Sequence, residues 1–168
     1  MRQGRLVNMV SVLGRYSIKY GAVYSMSKHS MVAFIDGLRR ELKKFGVKVV
    51  SIEPSFFLTA ITNTESLSKS LRQVFDQSST EVQNCYRIED EVKILREISK
   101  FIPFEGNLDL VVNNMVDALV SRCPNTIYRT SNRLLKALTF FMMYLPIGVV
   151  DWFIIYFDKF ISIETNLD

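Results

Sequence analysis

Two short valine-rich runs constrain this chain more than any other feature. "RLVNMVS" from Arg5 to Ser11 and "VKVVSIEP" from Val47 to Pro54 are β-branched and brief, and they bracket one long helical pattern. From Tyr24 to Phe45 the apolar residues Met31, Phe34, Ile35, Leu38 and Leu42 recur at three and four positions, and Gly46 follows as a stop. Gly4 and Gly14 flank the first run and Pro54 ends the second. A helix of about five or six turns is the connection expected between parallel neighbours, so the order predicts an α/β sheet with a right-handed crossover. In such sheets ligands bind beyond the C-terminal ends of the strands.

The rest of the chain supplies flanking elements. Residues 59–105 are polar and change pattern often, with "TNTESLSKSLRQVFDQ" and "DEVKILREISKF" as short helices around a loop near Ser78 to Tyr86. That reads as an insertion over a site. Leu108, Val111, Val112, Met115, Val116 and Leu119 keep a helical period before Pro124, and "NTIYRT" offers a last short strand. The domain is expected to occupy residues 1–130, with residues 59–105 as its lid region and residues 131–168 as a separate hydrophobic tail. Within that tail, "ALTFFMMYLPIGVV" from Ala137 to Val150 carries no charge, yet Pro146, Gly148 and Asp151 interrupt it. A membrane span needs roughly 20 mainly apolar residues. A segment lying on a membrane surface and a helix pair packed on the domain both fit the pattern better, and periodicity alone does not separate them.

At 168 residues, 48% hydrophobic and 23% charged, the chain has the composition of a globular protein rather than a disordered one. The net charge of +4 is carried by basic residues interleaved with acids, as in "LRRELKK", which describes a solvated helix face and not a nucleic-acid surface. Asp36 and Glu41 belong to that face. Cys85 and Cys123 have no metal-ligand spacing and read as thiols, and His29 is the sole histidine, so no metal site is expected. "MRQGRLVNMVSV" is too interrupted for a secretion signal, and an intracellular, reducing setting follows.

The chemistry begins with "YGAVYSMSKH". Residues four apart share a helix face, so Lys28 can bring its ammonium near Tyr24, where a cation favours the phenolate and prepares it to exchange a proton with a substrate oxygen. Ser11, at the end of the preceding strand, can add a hydrogen bond to the same oxygen. Alone, Tyr-x-x-x-Lys is a weak signal that any helix can carry. Its position is what raises it: a serine at one strand end, the pair opening the next helix, and "EPSFFLT" at the end of the following strand.

Together "GRLVNMVSVLGR", "YSMSK" and "VAFIDGLRRELKKFGVKVVSIEPSFFLT" resemble the second half of a short-chain dehydrogenase/reductase, in its retinol dehydrogenase and 17-beta-hydroxysteroid dehydrogenase branch. The similarity runs on through "VDALVSRCPNTIYRT" and the tail. The resemblance implies a partial Rossmann-like parallel sheet with flanking helices, without the N-terminal strands, followed by a hydrophobic helical segment. It implies Tyr24 as general acid/base, Lys28 as the residue that promotes its ionisation and holds the nicotinamide ribose, and Ser11 as the group that orients the substrate oxygen. It also places Tyr24, Pro54, Ser55 and Thr59 beside an NAD or NADP cofactor, with Ser55 standing where the family usually has glycine and crowding the approach of the cofactor. A lipophilic alcohol or ketone, retinoid or steroid, is the implied substrate. The endoplasmic reticulum membrane is the implied location, and a homodimer is compatible with it.

No Gly-x-x-x-Gly-x-Gly turn and no Asn-Asn-Ala-Gly occurs in the sequence, and the resemblance sets Met1 just before the family's fifth strand. The expectation is a truncated form with little activity alone. The alternative is a non-catalytic, membrane-associated interaction protein that keeps the dehydrogenase elements for packing.

Overall fold

A computed structural model of the chain describes residues 4–18, 20–102 and 104–165. The outermost residues of the expected domain and tail, 1–3 and 166–168, lie outside the described residues. In chain order the regular elements are β1 (Arg5–Met9), α1 (Ala22–Leu42), β2 (Lys48–Pro54), α2 (Thr64–Asp76), α3 (Thr80–Cys85), α4 (Ile88–Phe101), α5 (Asp109–Val120), β3 (Ile127–Thr130), α6 (Arg133–Tyr144) and α7 (Ile147–Thr165). They fall into two compact units, Met1–Phe57 with Glu105–Tyr144, and Leu58–Phe104 with Leu145–Asp168.

The first unit is the α/β one. Its sheet has the order β1-β2-β3 with both pairings parallel, and Arg5 to Met9 lie opposite Lys48 to Ile52, while Ser51 to Pro54 lie opposite Ile127 to Thr130. The central strand is buried continuously from Val49 to Glu53, as a parallel strand covered on both faces must be. Alternation divides its side chains. Val49 joins Val10, Val32 and Ile35 in a cluster with the α1 side chains Met31, Leu38 and Leu42, whereas Val50 and Ile52 pack with Ala118 of α5 and Tyr128. Full burial of such side chains contributes roughly 1.5–3 kcal/mol each.

Helix α1 spans 21 residues and starts two positions before Tyr24. Its end is set by Gly46, whose φ of 70° suits a residue without a Cβ, and whose N–H donates to the Lys43 carbonyl at 3.1 Å. At the opposite face, cations close the C-terminus of α5. Arg5 donates to the carbonyls of Ala118 and Ser121, and Lys48 Nζ to that of Arg122.

The second unit is helical. Asn63 caps α2 by accepting from Ser66 N–H at 3.0 Å, and α2 packs on α4 with an Arg72–Glu89 ion pair between them. The expected loop from Ser78 to Tyr86 contains a further short helix, α3, whose start is capped by Ser79. The C-terminal apolar stretch forms two helices, α6 and α7. Among the described residues no helix is long and apolar enough to cross a membrane.

Candidate active site

Ser11 leaves the end of β1 and caps a 3₁₀ turn, Val12–Gly14, its Oγ accepting from Leu13 N–H at 3.2 Å. A hydroxyl that accepts in this way still has its proton to donate. The turn lies directly on α1 because its last residue is glycine. A Cβ on Gly14 would stand 2.8 Å from the carbonyl oxygen of Lys28 and 2.8 Å from Val32 Cγ2. The segment that carries Ser11 is therefore packed against the helical turn that carries Lys28.

Tyr24 sits in the first turn of α1 and is exposed, while Lys28 is half-buried. The ammonium lies over the tyrosine ring, 5.5 Å from its centroid, a cation–π arrangement. Four-residue spacing thus delivers the expected shared face, with the cation on the ring. His29, one residue on, is turned back onto the helix and its Nδ1 lies 2.8 Å from the Ser25 carbonyl oxygen.

Pro54 closes β2 opposite Thr130, and Ser55 N–H donates to the Thr130 carbonyl at 2.9 Å. The Ser55 hydroxyl is buried without a hydrogen-bond partner. Thr59 belongs to the second unit, where it caps the 3₁₀ turn Ala60–Thr62 and its N–H donates to Thr62 Oγ1 at 2.9 Å.

Sequence reasoning missed the polar centre of the first unit. Glu53, fully buried, receives Arg15 Nη2 at 2.6 Å, Arg129 Nε at 3.1 Å and the Ser51 hydroxyl at 3.1 Å. The hydrogen bond from Arg15 to Glu53 raises the guanidinium above its ordinary range, against the opposing effect of burial. One carboxylate thereby ties the loop after β1, the end of β2 and β3 together. The available signal was a glutamate inside a strand buried on both faces, which requires a partner.

Residues 1–70 match the family model described as short chain dehydrogenase. The chain is 40% identical over 152 residues to retinol dehydrogenase 16 of Homo sapiens, covering 89% of this chain and 47% of that protein. The chain is thus similar over most of its length to a short-chain dehydrogenase. Retinol dehydrogenase 7 of Rattus norvegicus is 41% identical over 127 residues, 75% of this chain and 40% of that protein. The 17-beta-hydroxysteroid dehydrogenase type 6 of Bos taurus is 38% identical over 154 residues, with 89% and 47% covered. The chain spans about half the length of the curated relatives it matches.

Proposed function

We propose that the chain carries the proton-transfer residues of an NAD(P)-dependent oxidoreductase acting on the alcohol or ketone of a retinoid or steroid. The observation that carries this reading is the packing of the Ser11 turn, through Gly14, onto the stretch of α1 that holds Tyr24 and Lys28. Tyr24 exchanges the proton with the substrate oxygen, Ser11 donates to that oxygen, and Lys28 holds its ammonium over the Tyr24 ring. The names of the relatives, retinol and 17-beta-hydroxysteroid dehydrogenases, support a lipophilic substrate.

The residues present fit a dinucleotide in one respect: the buried Ser55 hydroxyl at the end of β2 lacks a partner, and a polar ligand would give it one. Within the first unit, Tyr24, Lys28, Pro54 and Ser55 are the residues that would hold the cofactor, which supplies hydride exchange when bound. Exposed Phe140, Phe141 and Tyr144 on α6 support contact with a membrane surface such as the endoplasmic reticulum. Exposed Val23, Met26 and Phe34 on α1 support a homodimer.

The test is Tyr24→Phe, assayed for NAD(P)-linked oxidation of a retinoid and of a steroid alcohol. A loss of about 10²–10⁴-fold with unchanged circular dichroism is expected. Activity retained in the variant overturns the reading.

A further inference from the structure

The first unit contains a cavity of about 220 Å³ that the proposed proton transfer does not use. Val12, Phe140 and Met143 form its apolar wall, Thr139 adds a hydroxyl, and Arg129 and Lys136 bring two cations. Neither Tyr24 nor Lys28 lines it. The floor is built: Val12 is 2% exposed and belongs to a cluster with Leu13 and Tyr16, against which Met143 packs.

Charge decides what such a cavity can take. Arg129 reaches Glu53 through Nε, but the same carboxylate also receives Arg15, so two guanidinium groups share one negative charge. Asp36 also acts on Arg15 but is itself paired with Arg39. Lys136 adds a further cation at the cavity wall. An apolar body is thus offered an unbalanced positive rim, and a ligand with one anionic head gains from both.

We propose that this cavity binds a medium-chain amphipathic anion, with its alkyl chain against Val12, Phe140 and Met143 and its head at Lys136 and Arg129. A cavity of about 150 Å³ accommodates benzene, so the present one suits a chain of about eight carbons. The head is a carboxylate or a phosphate monoester, two sources of the same chemistry. The proposal goes beyond the dehydrogenase reading and is tested without turnover, so either can fail alone.

The experiment is isothermal titration of the chain with octanoate, octyl phosphate and the neutral octanol. The two anions are expected to bind at one site, at least about tenfold tighter than octanol, and the tighter of the two identifies the head group. Lys136 and Phe140 are both exposed, so their replacement leaves the core intact. Lys136→Gln should weaken the anions about tenfold and leave octanol unchanged, and Phe140→Asp should weaken the anions at least as much by placing a negative charge at the wall. The proposal is overturned if octanol binds as tightly as octanoate, if none of the three binds at millimolar concentration, or if both variants bind the anions as the parent does.

Discussion

Gly14 touches the backbone of Lys28 so closely that the Ser11 turn and α1 cannot accept a side chain between them, since a Cβ would lie 2.8 Å from the Lys28 oxygen. Gly14→Ala must push the turn from the helix and should cost about 1–3 kcal/mol, read by urea denaturation. Val32→Ala in the same chain removes the second clash, at Val32 Cγ2, but leaves the carbonyl in place. Only partial recovery is expected, beyond the separate cost of the smaller core residue. Full recovery would show that the backbone contact is unimportant.

Glu53 has no exposed surface, so removing its charge leaves Arg15 and Arg129 facing a neutral amide. Glu53→Gln should destabilise the chain by about 3–5 kcal/mol. Arg129, with 37% of its side chain exposed, can turn to water, whereas Arg15 at 17% cannot do so as easily. Arg15→Met should therefore be the more damaging of the two arginine replacements, and the reverse order in chemical denaturation would refute the account.

Tyr16 is held above the ordinary tyrosine range by burial, with the Thr139 hydroxyl pulling the other way. The folded chain then binds the phenolic proton more tightly than the unfolded chain. Its contribution to stability is complete below the unfolded value of about pH 10, and is lost as pH rises from there through the raised folded value. Tyr128 is raised too, first by burial and then by its hydrogen bond to Asp117, and adds in the same sense. Thermal unfolding of Tyr16→Phe should show a shallower alkaline loss than the parent above pH 10, without abolishing it. Identical alkaline slopes would exclude Tyr16 as a contributor.

Ser55 offers a sharper test of the cofactor reading. Its hydroxyl is buried without a partner, so Ser55→Ala should leave stability unchanged or raise it by about 1 kcal/mol. If the hydroxyl instead serves a dinucleotide, the same variant binds NAD or NADP more weakly in a titration. Unchanged affinity would remove Ser55 from the cofactor site.

The strand–helix–strand frame was legible because each period reports a burial pattern: β2 is rich in valine and isoleucine and buried from Val49 to Glu53 where both faces are covered, and Met31, Ile35, Leu38 and Leu42 mark the buried stripe of α1. Gly46 announced the helix end through its left-handed backbone. The short helix α3 was illegible because "TEVQNC" carries only one large apolar residue, Val82, and so no period. The partners of Glu53 were hidden for another reason. Arg15 and Arg129 lie 38 and 76 positions away, and only the register of three strands brings them to one carboxylate. Spacing put Lys28 on the face of Tyr24 but could not choose its rotamer, which sets the ammonium over the ring. Nor could the run from Pro54 to Thr59 reveal that the chain passes into a second unit at Leu58.

Arg5 finds its acceptors 113 and 116 positions further along the chain, at Ala118 and Ser121. During synthesis, when the N-terminal residues emerge first, β1 can meet β2 long before that clasp exists. The guanidinium must wait in water until α5 has been made, and the last turn of that helix waits with it. β1 is thus secured only once α5 has been made, and a ribosome stalled ahead of residue 118 would hold a strand pair whose latch is still unwritten.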